Sequence, residues 1–445
     1  MVVAKVKNVF TTLWDHKKKT AFAGVLVYWG VEWARKNQRN GVIRTIYAKQ
    51  AITFGQCPIS AELRPRRVTV LANTSANERH VWDDFTKNAL PLLHLAGMEV
   101  NIIKADSESQ LEGVAEVINT DEADALFVVG GDGTMQRVLT AMYKNKDSSP
   151  IPIGFGPGGY DNLALKRLAP SVFEEEKDVR RWCEAAMAVV EDTRREVAIT
   201  QTTINSHDAE TPAVIEFGLS PIGAGWFGHI EERRRKLWYW AGLKRRFAYF
   251  WEMLKRSPRP LSLHIDYEEF CSGCSSCRPP IVVIKPVWRW WHYLIGPPRQ
   301  NLPQVKQRDF SNVHNDKCGQ QGETSGEAVE MTVETDQVDD ISRLRLRMAS
   351  GLGRFGVMNE GWSRCKTGEV ATSSREGFYQ TDISARAFTL HFDTIPEFLS
   401  RVYVGGDVKS LSNGGSISVR ATLKKADIFL PSSIRLSQED IDAAQ

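Results

Sequence analysis

Val128-Val129-Gly130-Gly131-Asp132-Gly133-Thr134-Met135-Gln136 decides the reading of this chain. An apolar run, Ala125 to Val129, enters it, and a helix-like run, Met135 to Tyr143, leaves it. Three glycines around one aspartate make a turn in which side chains do not block the backbone, so N–H groups can point at an oxyanion. The helix that follows adds its positive N-terminal end. Thr134 is placed to cap that helix or to touch a phosphate. A tight strand-to-helix turn without a ligand is the alternative. The surrounding pattern favours a phosphate site.

Working outward, strands and helices alternate. Val68 to Ala72 reads as a first strand, His80 to Leu95 as a helix, Val100 to Ile103 as a second strand and Leu111 to Ile118 as a second helix. Beyond the turn, a strand at Ile153 to Phe155 enters a second glycine-rich stretch, Gly156-Pro157-Gly158-Gly159-Tyr160-Asp161-Asn162, and a helix from Val172 to Val190 closes the domain. This alternation predicts right-handed crossovers and a parallel sheet with ligands at the strand C-termini. Near Arg195 the texture changes to short alternating segments such as Val197 to Ile204, Leu344 to Met348 and Ile417 to Leu423. The expected fold is an α/β N-terminal domain with a parallel sheet, then a larger antiparallel β-sandwich domain. Expected boundaries are a basic and apolar segment over 1–60, the α/β domain over 61–194, the β-rich domain over 195–435 with a variable loop at about 257–326, and a tail over 436–445.

A chain of 445 residues, 42% hydrophobic, can hold two cored domains; from a net charge of +3 no strong polyanion-binding surface follows, and no nucleic-acid partner is expected. The charge is unevenly spread: residues 1–50 carry ten Lys or Arg against two acids, Asp15 and Glu32. Within that segment Thr20 to Val31 is apolar, with Tyr28 and Trp29 near one end and Trp33 just after. Its twelve residues of helix rise about 18 Å, short of the roughly 30 Å hydrocarbon core. An interfacial anchor flanked by cations fits better than a spanning helix. The alternative is a helix docked on the protein's own surface. A basic, acid-poor start without a small-residue cleavage site suits mitochondrial delivery.

Seven cysteines make no disulfide scaffold in a chain this long. Cys271, Cys274 and Cys277 have metal-like or redox-like spacing, with His264 and Cys318 as conceivable fourth ligands. They sit in a Ser/Pro-rich stretch, and the expectation is a solvent-accessible loop without a metal. The aromatic and cationic stretch Trp226 to Lys255 reads as helix-like, its cations either resting on anionic lipid headgroups or forming a solvated face, and a second such stretch, Val287 to Leu294, is expected to meet a membrane or a partner.

With Gly130 to Thr134, the second glycine loop and a β-rich second half in view, the chain resembles the diacylglycerol-kinase-like lipid kinases, which include the sphingosine and ceramide kinases. The likeness is continuous from about residue 6 to 165, patchier to 255 and weak beyond. It implies transfer of the ATP γ-phosphate to the hydroxyl of monoacylglycerol or diacylglycerol, with Mg²⁺, giving lysophosphatidic or phosphatidic acid. It also implies a nucleotide site at Asn73, Gly130, Gly131, Asp132, Gly133, Thr134, Pro157, Gly158, Gly159 and Asn162, with Asp132 and Glu231 as catalytic residues and Asp407 on the metal. A sphingosine or ceramide kinase is one alternative. Another is a non-catalytic subunit of the mitochondrial inner-membrane carrier translocase, on the intermembrane-space side. The chain departs from the family pattern in several places. Thr74-Ser75-Ala76-Asn77 follows Asn73 where the family has Pro, then Gly and Lys. Arg137 stands where Glu is usual, and Tyr160 replaces a hydroxyl residue. Near His229 only Glu231 and Glu232 offer carboxylates, and Gly405-Gly406-Asp407 keeps one carboxylate of two.

Overall fold

The computed structural model describes residues 17–58, 64–76, 80–144, 151–174, 178–205, 212–235, 237, 243–277, 288–291, 293, 296, 310–338, 341–367, 375–411 and 413–443. The chain forms two compact units, one of Met1–Thr134, Pro150–Arg195 and Asp427–Gln445, the other of Met135–Ser149 and Glu196–Ala426.

In the first unit, strands β1 (Arg67–Asn73), β2 (Glu99–Ala105), β3 (Ala125–Gly130) and β4 (Ile153–Pro157) pair in parallel in the order β2-β1-β3-β4. The β-branched and aromatic residues of β1 and β3 are buried on both faces, as a parallel sheet under helices requires. The helix expected from His80 to Leu95 is two helices, α2 (Val81–Asn88) and α3 (Leu90–Leu95), because Pro91 cannot extend the hydrogen-bond ladder. After them come α4 (Glu108–Val117), the helix α5 (Asp132–Tyr143) that leaves the first glycine turn and belongs to the second unit from Met135 on, α6 (Leu163–Leu168), α7 (Pro170–Phe173) and α8 (Arg180–Val190). The closing helix expected over Val172 to Val190 is therefore also broken. Trp182 of α8 and Phe127 of β3 pack against β4, and a Cβ on Gly156 would lie 2.5 Å from the Trp182 ring.

Helix α1 (Lys17–Gly55) lies ahead of β1 in the sequence and has two different halves. Ile43, Tyr47 and Ala51 are fully buried, and the Tyr47 hydroxyl donates to Glu184 Oε1 at 2.6 Å. Every described side chain from Phe22 to Gln38 is exposed, including Trp29 and Trp33. The apolar segment is thus not docked on the protein's own surface along that stretch. Among the described residues no helix is long and apolar enough to cross a membrane.

The second unit is antiparallel. Strands β5 (Arg194–Asn205) and β6 (Val214–Gly218) pair with each other, and β7 (Ile222–Gly225) leads into α9 (Trp226–Arg235) and α10 (Lys244–Lys255). Then come β8 (Leu261–Glu269), β9 (Gln321–Ala328), β10 (Glu330–Val338), β11 (Ile341–Ala349), α11 (Arg354–Thr367), β12 (Thr381–Thr394), β13 (Arg401–Val404), β14 (Asp407–Ser410) and β15 (Ser416–Phe429). β12 is shared: it pairs with β11, β15 and β8. Its core gathers Trp226, Phe227, Tyr249, Phe388 and Phe392 with the inward aliphatic residues of β8, β10 and β11. Within the stretch Trp226 to Lys255 the described residues form these two helices. The tail also differs from expectation: Ile428 and Phe429 of β15 pair in parallel with Ile153 and Gly154, and Asp427 to Gln445 belongs to the first unit.

Candidate active site

β1, β3 and β4 are neighbours, so their carboxyl ends at Asn73, Gly130 and Pro157 lie side by side, the position where parallel sheets bind ligands. The first turn is tighter than the sequence suggests. α5 starts at Asp132 rather than Met135, since an acidic residue in a helix's first turn is favoured by the backbone dipole. Thr134 therefore lies inside the helix and is not its cap. Its hydroxyl accepts from Asn73 Nδ2 at 2.9 Å, while Asn73 Oδ1 accepts from the N–H and hydroxyl of Ser75 at 3.1 and 2.7 Å.

The second loop is closed by Asn162, whose backbone is left-handed at φ 50°. Its Nδ2 donates to the carbonyls of Gly159 and Pro157 at 2.9 and 3.3 Å, and its Oδ1 accepts from the Gly159 N–H at 2.8 Å. The Gly158 N–H donates to the Gly156 and Gly130 carbonyls. The two loops touch backbone to backbone: a Cβ on Gly131 would lie 2.8 Å from Gly159 Cα, and one on Gly159 would lie 2.6 Å from Gly131 Cα. These glycines are needed for loop-to-loop approach, whatever else they do.

Asp132 ties the loops together. Its Oδ2 accepts from the Leu163 N–H at 2.9 Å and its Oδ1 from the Ala164 N–H at 3.0 Å, at the start of α6. The side chain is buried, and burial pushes its carboxyl above the usual carboxylate range although the two amides pull it back. The Leu163 and Ala164 amides were not singled out from sequence. The signal available was the apolar helical spacing that begins just after Asn162. The second loop's amides at Gly158 and Gly159, and the first amides of α6, thus have acceptors within the chain. Among the described residues no acceptor stands against the N–H groups of Gly131, Gly133 and Thr134, at the start of a 12-residue helix.

The other expected residues lie in the second unit. Gly405 and Gly406 have φ of 57° and 85° and connect the paired residues Val404 and Asp407, which is a two-residue hairpin turn with both central residues left-handed. Asp407 is the first residue of β14, and its carboxylate accepts the Arg137 guanidinium at 2.8 Å. The reversed charge at Arg137 and the retained acid at Asp407 are thus partners. Glu231 on α9 is within 3.2 Å of Arg234 Nε and 3.1 Å of Arg245 Nε, and the Tyr249 hydroxyl donates to it at 3.3 Å. It joins α9 to α10.

A sequence model of the diacylglycerol kinase catalytic domain matches residues 67–202, which contain both glycine loops. The chain belongs to the diacylglycerol-kinase-like lipid kinase superfamily. It is 45% identical over 440 residues to an uncharacterised protein of Caenorhabditis elegans, covering 98% of this chain and 99% of that one. It is 31% identical over 262 residues to mitochondrial acylglycerol kinase of Homo sapiens, covering 58% of this chain and 59% of that one. With the mitochondrial acylglycerol kinase of Xenopus laevis it shares 30% identity over 268 residues, 60% of each chain. The chain therefore spans about three fifths of the length of these two kinases.

Proposed function

We propose that this protein is an ATP-dependent kinase that phosphorylates the hydroxyl of monoacylglycerol or diacylglycerol, giving lysophosphatidic or phosphatidic acid. The observation that carries this reading is the set of N–H groups at Gly131, Gly133 and Thr134, without acceptors among the described residues, at a sheet's carboxyl edge and a helix's positive end. They fit the terminal phosphates of a nucleotide. Phosphoryl transfer is mostly positioning and charge stabilisation, which aligned backbone donors provide. In this reading Asp132 sets the spacing of the two loops through Leu163 and Ala164. Magnesium, arriving with the nucleotide, would spread phosphate charge, but Asp407 already holds Arg137 and is not well suited as its ligand.

The membrane supplies the lipid, and the exposed half of α1 gives the protein a way to meet it. We assign Trp29 and Trp33, with the cations around them, to the headgroup region of the mitochondrial inner membrane. Replacing both by serine is expected to weaken binding to anionic vesicles by about tenfold or more, since burying one large apolar side chain contributes roughly 1.5–3 kcal/mol. Cosedimentation that is unchanged would remove the anchor from this account.

A second reading, a carrier-translocase subunit without catalysis, is favoured by the occupation of Asp407 by Arg137. The deciding experiment is transfer of labelled phosphate from ATP to purified acylglycerols. Product well above the Asp132→Asn background is expected; its absence would leave the subunit reading.

A further inference from the structure

Cys271 to Cys277 follow β8, and Cys318 lies just before β9. These strands pair antiparallel with Glu268 opposite Gln321, so continuing the register by three residues places Cys271 opposite Cys318. The hairpin thus closes a 51-residue connection, 270–320, at its base. Cys274 and Cys277 lie on a turn in which the Cys277 N–H donates to the Cys274 carbonyl at 3.2 Å. The result differs from the solvent-accessible loop expected from composition: Cys274 is fully buried and Cys271 is 9% exposed. His264, the other conceivable ligand, instead meets Glu323 at 2.8 Å.

The four sulfurs all lie within 4.8 Å of one another. Cys274 Sγ is 3.7 Å from Cys277 Sγ, which is 3.8 Å from Cys271 Sγ. None is in a disulfide, whose sulfurs would be about 2.05 Å apart. Four thiolates placed tetrahedrally about 2.3 Å from a zinc ion are separated by about 3.8 Å. The cage is sized for one ion. An iron–sulfur cluster would need the thiolates of its two irons further apart. Donors that stabilise thiolate charge are present: Asn315 Nδ2 is 3.2 Å from Cys271 Sγ, and the Cys274 N–H is 3.3 Å from Cys277 Sγ.

We propose that Cys271, Cys274, Cys277 and Cys318 bind one structural zinc ion that fastens the two ends of the β8–β9 connection. The four thiols release their protons to solvent as the ion binds. The connection carries Trp288, Trp290 and Tyr293, all exposed, so the zinc fixes the base of the segment that presents them. This inference does not depend on the kinase reading.

The test uses the full chain purified under reducing conditions. Elemental analysis is expected to find one zinc per chain, released when the thiols are titrated with a mercurial. Exchange with cobalt(II) alone should give the absorption of a tetrahedral tetrathiolate site. Cys318→Ser should lower metal retention at least tenfold, while Cys57→Ser, at an exposed cysteine outside the cluster, should retain zinc. If Cys318→Ser does not fold, the cobalt spectrum of the unaltered chain still decides. No zinc after metal is supplied to reduced protein, iron in its place, a disulfide among the four, or a cobalt spectrum without thiolate bands would each overturn the assignment.

Discussion

Asp132→Asn is expected to lower phosphate transfer by about 100-fold or more while changing fold stability by no more than about 1–3 kcal/mol. Both oxygens of the native carboxylate accept backbone N–H groups, from Leu163 and Ala164. Asparagine keeps one acceptor and turns an N–H donor toward the other amide, so the second loop moves off the first. Stability responds less because two effects oppose. The amide contact is lost, but so is a buried charge whose carboxyl sits above its ordinary range. A carboxyl raised in the folded state contributes stability that is full below its unfolded value and is lost as pH rises through the folded one. The variant should lack that fall, so the gap between the two proteins should narrow or reverse as pH rises out of the carboxyl range. Gly159→Ala separates positioning from chemistry, because it disturbs the same loop contact and leaves the carboxylate in place. Equal losses in both variants, with weaker ATP binding in each, mark a positioning role. Full activity in Gly159→Ala would leave Asp132 acting directly on the reacting phosphates.

The sequence made the first unit legible because its signals are local. The apolar runs of β1, β3 and β4 and the glycines between them indicated a parallel sheet and the loops at its edge. It did not reveal that Asp132 reaches Leu163 and Ala164, a contact across 31 and 32 residues. Nor could it reveal that Arg137 and Asp407, read separately as a reversal and a metal ligand, neutralise each other. The second unit was read through its apolar alternation, so strands without it were missed. β9, Gln-Gly-Glu-Thr-Ser-Gly-Glu-Ala, carries almost no apolar face, and most of it falls within the segment expected as a variable loop. That omission hid the cysteine cage, since it is the β8–β9 pairing that brings Cys318 to Cys271.

Arg364→Leu is expected to lower stability by about 3–5 kcal/mol, the usual result of removing one partner from a buried ion pair. Arg364 on α11 is 2% exposed and donates through both terminal nitrogens to Glu330 on β10 at 2.7 and 2.6 Å. Its Nε donates to Glu360 at 3.0 Å, and its guanidinium lies 4.1 Å from the centre of the Phe227 ring. Leucine would fill much of the space but leave two carboxylates in the core without their cation. Burial already pushes the Glu330 carboxyl up, and Arg364 is what holds it down. Without the arginine it rises further, so the deficit should shrink as pH falls through the raised range in which this carboxyl takes up a proton. Replacing Glu330 and Glu360 by leucine and glutamine together with Arg364→Leu should recover most of the loss, because apolar groups can substitute for a buried pair at little cost. Denaturant unfolding monitored across pH would measure both effects. A loss below about 1 kcal/mol, the range of exposed pairs, would mean that water reaches this triad and that its burial does not persist in solution.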